Sequence, residues 1–432
     1  MLIARPALAA AAVCCVWAAL ACEAKQEPTP QKLTASEVPP AVPTSAAAAP
    51  PTVDADTILL GEVGSLTGSE ATFGLSTKNG VQLALDEVNA AGGISVDGKM
   101  KKVAVRVYDD QGKSEEAANA VSRLINQDKV VVILGEVASS NSLAMAPIAQ
   151  AAQVPMVTPS STNPKVTAVG DYIFRVCFID PFQGTAVAKF AYNTKSLRNI
   201  AILVDQKSDY STGLAQYFTE TFTSLGGAIA GSEAYGKGDV DFKAQLTTLI
   251  AKTPDAIFIP GYYTDTGLIA RQARELGFTG LFLGGDGWDS AELTKIGGDA
   301  IMGSFFTNHY AVDDPNPVVQ NFIKKYEAKY KEKPDGLAAL GYDSAQVLYA
   351  AMIQVAADPK MAAAFADRSS LPATEDSRKA ARAALRDVLA ATKEFPGVTG
   401  VITIDDKRNA QKPAVVVQVS AEGNTFVESI AP

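Results

Sequence analysis

The sequence predicts an α/β protein in which two lobes, each built on a doubly wound parallel sheet, follow an N-terminal leader and linker. Three observations predict this class. Short apolar runs alternate with stretches in which apolar residues recur at helical spacing. The alternation restarts after Phe178, as a second sheet of the same kind requires. A pair of glycines ends a predicted helix in each half, at 92–93 and at 226–227.

The first 22 residues are predicted to be a processing signal. Arg5 precedes an apolar run from Ala7 to Leu20, which is too short to span a bilayer. The run ends in Ala19-Leu20-Ala21-Cys22, which is similar to a bacterial lipobox, although Ala19 stands where leucine is usual. The pattern favours lipidation of Cys22, and hence a membrane anchor, over a plain secretory signal that is cleaved nearby.

Residues 23–55 are predicted to form an extended linker, because their Pro, Ala, Thr and Ser cannot bury a core. The net charge of −9 and the lack of a basic patch argue against nucleic acid as a partner. No later apolar run is long enough for a membrane helix. After the leader only Cys177 remains, so we expect no disulfide within the mature chain.

The predicted elements follow one another in a regular order. In the first half, strands at 58–63, 103–108, 130–134 and 156–158 alternate with helices marked by apolar residues at 81, 85 and 88, at 121, 124 and 125, and by the segment 142–153. In the second half, a helix at 183–192 precedes strands at 200–204, 256–259 and 281–283, and a further helix ends at 226–227. Helices at 318–330 and 340–356, a surface insertion at 358–378 and β-like runs at 401–404 and 414–419 complete the chain.

The residues that most enzyme classes need are absent, so we expect no catalytic residues, metal or cofactor. His309 is the single histidine, no Cys/His cluster has zinc-ligand spacing, and no Gly-x-Ser-x-Gly motif occurs. The segment Gly231–Gly238 is the nearest match to a P-loop but lacks its Ser/Thr. We interpret that segment as a flexible hairpin, and His309 as a structural residue near a segment between the lobes.

The loop from Leu281 to Ser290 is the most informative stretch for function. A short apolar strand stops at two glycines, and Asp286 and Trp288 follow. A carboxylate at the carboxyl end of a parallel strand lies where open α/β sheets bind their ligands. Asp286 is therefore a candidate for binding a cation, with Trp288 as a candidate cleft wall. The alternative is a solvated acid in a turn.

Two hydroxyl-rich loops follow neighbouring predicted strands. Ser139 lies in the loop 135–142, and Ser160 and Thr162 lie in the loop 158–163. Hydroxyls and the free N–H groups of a helix start favour a carboxylate. Helix capping would explain one hydroxyl per loop, but two such loops exceed that need, so we predict a shared anion site.

Three aromatic residues are candidates for an apolar pocket beside these loops. Tyr262 follows the strand that ends at Pro260, and its hydroxyl could point into the cleft. Phe73 and Tyr210 could close over an apolar side chain. Ordinary packing within a lobe explains either residue equally well.

From about residue 57 to 430 the chain resembles the type I periplasmic solute-binding proteins of ABC importers, and within them the Leu/Ile/Val-binding group. The resemblance rests on GSLTG at 64–68, NAAGGI at 89–94, TPSST at 158–162, GY at 261–262, RQAR at 271–274, GYDS at 341–344 and FPGVTG at 395–400, together with the loops that hold Ser139 and Asp286. Each motif is weak alone, but their order and spacing are specific.

The resemblance implies a three-segment hinge, with crossovers near Cys177, Thr307 and Val398. It implies a first lobe of residues 56–177 and 307–398 and a second lobe of residues 178–306 and 399–432. A protein of this kind captures a small amino acid in the periplasm or at the cell surface and delivers it to the permease of an ABC transporter.

The resemblance also assigns roles to the candidate residues. Ser139 and Thr162, with backbone at Ser160, would bind the α-carboxylate of the ligand. Asp286 would bind the α-ammonium, with Tyr262 nearby, where some members carry glutamate. Phe73 and Tyr210 would line the side-chain pocket, and Trp288 has no counterpart.

Two alternatives share the predicted fold. The ligand could be an amide, urea or an aromatic acid, or the protein could be a sensor that reports its ligand to a membrane receptor.

Overall fold

A computed structural model describes residues 57–96, 98–358 and 375–432. The predicted leader with Cys22, the linker 23–55 and most of the predicted insertion 358–378 lie outside the described residues. In the described ranges, helices and strands alternate around two large sheets whose strands are mainly parallel, which confirms the predicted α/β class. No helix in these ranges is both long and apolar enough to cross a membrane.

The first lobe is built on a six-stranded sheet with the order β2-β3-β1-β4-β5-β6. All neighbours are parallel except β2 and β3. Because β4 and β5 are adjacent and parallel, the loops that follow them leave the same edge of the sheet. The strands are β1 (Thr57–Gly64), β2 (Ile94–Val96), β3 (Lys99–Asp109), β4 (Ile133–Leu134), β5 (Met156–Thr158) and β6 (Ile173–Arg175).

Helices cover both faces of this sheet. Side chains of a strand alternate between faces, so Ile58 and Leu60 of β1 lie in one core cluster, and Leu59 and Val63 lie in another. α1 and α11 pack over the first face, and α2 and α3 pack over the second. The helices are α1 (Ala71–Ala90), α2 (Ser114–Asn126), α3 (Ser139–Ala151), α4 (Lys165–Ala168), α10 (Pro317–Tyr330), α11 (Gly336–Ala356) and α12 (Glu375–Ala390).

The second lobe is built on a seven-stranded sheet with the order β16-β15-β11-β10-β9-β7-β8. Only β15 and β16 run antiparallel to their neighbours. The strands are β7 (Asn199–Asp205), β8 (Ala228–Tyr235), β9 (Ala256–Phe258), β10 (Leu281–Gly284), β11 (Phe305–Asn308), β15 (Ala414–Gln418) and β16 (Thr425–Ile430). The helices are α5 (Asp180–Lys189), which continues as a π-helical turn at Phe190–Thr194, α6 (Asp209–Ser224), α7 (Lys243–Ile250), α8 (Tyr263–Glu275) and α9 (Ala291–Gly297).

The interpretation of Gly231–Gly238 as a flexible hairpin is wrong. Most of this segment belongs to β8, which pairs in parallel with β7 at the edge of the second sheet. As an edge strand, β8 buries few of its side chains. Its sequence therefore lacks the apolar run that predicts most of the inner strands.

The third crossover differs from its predicted position near Val398. β12 (Phe395–Gly397), β13 (Gly400–Ile404) and β14 (Ala410–Gln411) form a small antiparallel sheet. Ile402 and Ile404 are buried in the core of the first lobe, so residues 400–411 belong with that lobe rather than with the second. The chain enters the second sheet only at Ala414, which places the crossover near Lys412.

Candidate functional site

A small cavity lies between the two lobes, with about 280 Å³ of empty space. Both lobes contribute to its wall, as the resemblance implies. The first lobe supplies Phe73, Val137, Ser139, Ser160 and Leu337, and the second supplies Tyr210, Tyr262, Asp286 and Gly287.

The polar side chains in the first-lobe half of the cavity are two uncharged serines. Ser139 is the first residue of α3, and its Oγ accepts a hydrogen bond from the backbone N–H of Asn163 at 3.2 Å. Ser160 donates its Oγ–H to the carbonyl of Val137 at 3.1 Å. Thr162 does not line the cavity. It is buried, and its hydroxyl faces the buried carboxyl of Asp180.

Several hydroxyls of the two loops form hydrogen bonds within and between these loops rather than with the cavity. Thr158 Oγ1 donates to the carbonyl of Glu136 at 2.6 Å, and Ser161 Oγ contacts the same carbonyl at 2.9 Å. Ser142 Oγ lies 2.7 Å from Ser161 Oγ. The excess of hydroxyls over helix capping is therefore partly structural, and Ser139 and Ser160 are the two that border the cavity.

A buried arginine supports the second hydroxyl loop from behind. Arg175 is fully buried at the end of β6 and donates to the carbonyls of Ser161 and Asn163, the latter at 2.7 Å. Burial lowers the pKa of its guanidinium. Because these carbonyls point toward Arg175, the loop that carries Ser160 and Thr162 is held in one conformation.

The second-lobe half of the cavity centres on Asp286, of which 8% is exposed. Its Oδ1 accepts from Gln183 Nε2 at 2.8 Å and from the hydroxyl of Tyr210 at 2.9 Å. Its Oδ2 lies 2.9 Å from Nε2 of His309. The alternative of a solvated turn acid is therefore wrong, since the carboxylate is buried and hydrogen-bonded on both oxygens.

His309 contacts Asp286 as a neutral imidazole. Burial lowers the pKa of His309 to about 4, although the nearby carboxylate of Asp286 acts in the opposite direction. At neutral pH, Nε2–H is then the donor to Oδ2, and the pair is a hydrogen bond rather than an ion pair. A carboxylate has about four acceptor positions. Three are occupied, so about one remains for a donor in the cavity.

Aromatic rings from both lobes enclose the apolar part of the cavity. Tyr210 and Tyr262 stack with their centroids 5.2 Å apart and their planes at 6°. Phe73 comes from the first lobe and meets Tyr262 edge-on at 5.6 Å and Tyr263 at 4.9 Å. It is packed within the aromatic cluster of the second lobe, so its ring closes one side of the cavity.

Trp288 is not a wall of the cavity. It is fully buried in the core of the second lobe, with its ring 6.0 Å from that of Phe306. Its Nε1–H donates to the carbonyl of Ile259 at 2.9 Å. Because Asp286 and Trp288 lie in one short 3₁₀ turn, they point to different sides of the backbone.

The two lobes contact each other around the cavity. Lys237 of the second lobe bonds the carboxylate of Glu70 and the carbonyl of Gly112, both at 2.8 Å. Ser140 donates to the carboxylate of Asp209 at 3.0 Å. These cross-lobe contacts define a closed arrangement. Two more join Thr72 to Ser290 at 2.9 Å and Thr264 to the carbonyl of Ser69 at 2.7 Å.

Sequence reasoning did not find two residues of the site. Gln183 was placed only within a predicted helix, and His309 was assigned a structural role, yet both bond Asp286. The sequence offers no local signal for either contact, since the strand that ends at Asn308, directly before His309, is not predicted either. In the described ranges, no group of three or more His, Cys, Asp or Glu side chains could hold a metal ion.

Comparisons with known proteins identify the family to which the chain is related. The family model of periplasmic binding proteins matches residues 57–424. The leucine-, isoleucine-, valine-, threonine- and alanine-binding protein of Pseudomonas aeruginosa is 32% identical over 72% of this chain and 82% of its own length. A leucine-specific-binding protein of Salmonella typhimurium is 30% identical over 70% of this chain and 80% of its own length.

Solved structures give the same result. The leucine-binding protein LivK of Thermotoga maritima is 39% identical, with a TM-score of 0.78 over 87% of this chain and 99% of its own. LivJ of Streptococcus pneumoniae, solved with isoleucine, is 31% identical, with a TM-score of 0.76 over 87% of this chain and 100% of its own. A Rhodopseudomonas palustris protein in complex with benzoate is 21% identical with a TM-score of 0.74, and at that identity it shows the fold alone.

Proposed function

The chain belongs to the periplasmic binding protein family, and we propose that it captures a small amino acid, with Leu, Ile and Val as first candidates, and delivers it to an ABC importer. The family consists of substrate-binding transport proteins and places the protein outside the cytoplasm. Delivery to a permease, and a membrane anchor through lipidated Cys22, are parts of the proposal.

The observation that carries the proposal is the charge arrangement of the closed cavity. On one side the cavity is bordered by Ser139 at the start of α3, where backbone N–H groups favour an anion, and by Ser160 in the loop after β5. On the other side, Asp286 retains about one acceptor position. A zwitterion fits between the two sides, because burying its charges is tolerable only when both are paired.

The remaining wall accounts for the side-chain class. Phe73, Tyr210, Tyr262 and Leu337 present rings and an aliphatic group to the cavity, and none of them carries a charge. A small aliphatic side chain gains free energy by leaving water for this wall, whereas a charged side chain would lie there without a partner. The small volume disfavours large ligands. Thr162, to which the resemblance assigns the carboxylate, is not part of this proposed side, because it does not line the cavity.

A thermal-shift screen tests this proposal. The purified protein would be heated with each of the twenty amino acids and with amides, urea and benzoates. A ligand present at a thousand times its Kd stabilises a protein by about 4 kcal/mol. We expect Leu, Ile or Val to raise Tm clearly. Stabilisation by benzoate or an amide, with none by any amino acid, would contradict the proposed ligand class. Transport of the same ligand in cells that contain the cognate permease would distinguish an importer subunit from a sensor.

A further inference from the structure

The Asp286 loop is held by two consecutive residues at the end of β11. Asn308 donates its Nδ2–H to Asp289 at 2.8 Å, and His309 bonds Asp286 at 2.9 Å. Asp289 also accepts the backbone N–H of Gly336, the first residue of α11, at 2.6 Å. Directly after His309 the chain returns to the first lobe. Both acids of the loop are therefore tied to the second crossover between the lobes.

The first crossover reaches the same histidine. Phe178, which lies between β6 and α5, stacks on the imidazole of His309 with the ring centroids 3.7 Å apart and the planes at 22°. Gln183, on α5 immediately after this crossover, donates to Oδ1 of Asp286 at 2.8 Å. Two of the three segments that join the lobes thus meet at the carboxylate of Asp286.

All three side chains that bond Asp286 are uncharged. Gln183 and Tyr210 are neutral at physiological pH, and burial keeps His309 neutral as well. An arginine or lysine here would neutralise the carboxylate from within the protein. Neutral donors fix its orientation while leaving its negative charge without a counter-charge, and a ligand cation can supply that counter-charge.

We propose that His309 and Gln183 are positioning residues, which orient Asp286 for the ammonium of the ligand and connect that orientation to the two crossovers. This inference rests on the proposed function. Because His309 contacts both Asp286 and Phe178 of the first crossover, the position of the ligand's positive charge is coupled to the arrangement of the crossovers. His309 does not line the cavity and acts only through Asp286.

A double-mutant cycle on leucine affinity tests the proposal. His309→Phe keeps a ring that can stack on Phe178 but removes the donor, and His309→Gln keeps a donor near the position of Nε2. We expect His309→Phe to weaken leucine binding about tenfold in calorimetry and His309→Gln to weaken it less than threefold. In an Asp286→Asn background, His309→Phe should cost less than a further twofold, because the group that it positions has lost its charge.

The outcomes separate this inference from the function on which it rests. Equal losses from His309→Phe in the wild-type and Asp286→Asn backgrounds would overturn the positioning role and leave the proposed function standing. A wild-type protein that binds no amino acid would overturn both. If His309→Phe does not fold, Gln183→Leu replaces it in the same cycle, with the same expected non-additivity. Additive losses from Gln183→Leu would overturn the proposal.

Discussion

In the proposed binding mode, the two halves of the cavity recognise charge in different ways. The first-lobe half uses hydroxyls and the start of α3, all of them within two short loops that follow adjacent strands. The second-lobe half uses one carboxylate whose orientation depends on Gln183, Tyr210 and His309, which come from three separate segments. The proposed anion side can therefore be built from local backbone, whereas the proposed cation side is assembled by the tertiary fold.

This difference has an energetic consequence. On the proposed anion side the charge of the ligand would be shared among several neutral donors, so the loss of one would leave the others in place. On the proposed cation side one buried carboxylate would carry the whole interaction. Removing one partner of a buried, hydrogen-bonded charge pair costs about 2–5 kcal/mol, whereas a single neutral hydrogen bond contributes about 0.5–1.5 kcal/mol.

The largest effect is expected from Asp286→Ala. This change leaves the ligand ammonium without a counter-charge, so we expect leucine affinity to fall at least about 100-fold while the protein stays folded. Calorimetry measures the affinity, and circular dichroism checks the fold. Asp299→Ala, which removes an exposed acid on the same lobe, is the matched control and should bind as the wild type does. Near-normal binding by Asp286→Ala would remove this residue from the site.

A smaller effect is expected from Ser139→Ala. One neutral donor is lost while the N–H groups at the start of α3 remain, so leucine affinity should fall about three- to tenfold. Ser122→Ala removes a hydroxyl that bonds only the carbonyl of Ala118 within α2, and it should leave binding unchanged. If Ser139→Ala cost as much as Asp286→Ala, the contrast between the two halves would fail.

The cross-lobe contact of Lys237 should affect how long the ligand stays bound. Lys237→Ala removes the bonds to Glu70 and Gly112, so we expect the ligand to dissociate a few times faster in stopped-flow measurements. The effect is modest, because the side chain is 36% exposed and exposed ion pairs contribute little. Lys243→Ala breaks an ion pair with Glu275 that lies within the second lobe, and its dissociation rate should match the wild type. Equal rates for both variants would exclude a role for Lys237 in closure.

A separate effect, on stability rather than on ligand binding, is a pH dependence that originates at His309. Its pKa is about 4 in the folded protein, against an ordinary value of 6.5. Between these two values the unfolded chain binds more protons, so the contribution of His309 to stability falls as the pH falls from 6.5 towards 4. His309→Phe should therefore lose less Tm than the wild type between pH 7 and pH 4.5. An identical loss in both proteins would contradict a neutral, buried imidazole.

The features that the sequence predicts are local ones, and the features that it does not predict depend on tertiary packing. Periodicity is a local property, and it predicts most of the inner strands, most of the helices and the two hydroxyl loops. It does not predict β11, an inner strand of the second sheet. β8 was missed, because an edge strand needs no buried apolar run. Residues 400–411 were assigned to the wrong lobe, because only packing shows that Ile402 and Ile404 fill the first core.

The cation side marks the limit of local reasoning. The glycines and the preceding strand predict a binding role for Asp286, but its contacts with Gln183 and His309 come from segments that are 103 and 23 residues away in the chain. No local sequence pattern predicts contacts between segments that are this far apart in the chain. Trp288 shows the opposite error. Its position two residues after Asp286 predicts a place in the cleft wall, but its ring is buried in the core of the second lobe.

The proposal that the cavity binds a zwitterion is tested most directly by comparing leucine with two analogues that each lack one charge. Calorimetry on the purified protein would measure leucine, 4-methylpentanoate, which lacks the ammonium, and 3-methylbutylamine, which lacks the carboxylate. We predict that leucine binds at least about 100-fold more tightly than either analogue, because each analogue leaves one half of the cavity unpaired. Binding of 4-methylpentanoate as tight as that of leucine would contradict the role of Asp286 and the zwitterionic ligand.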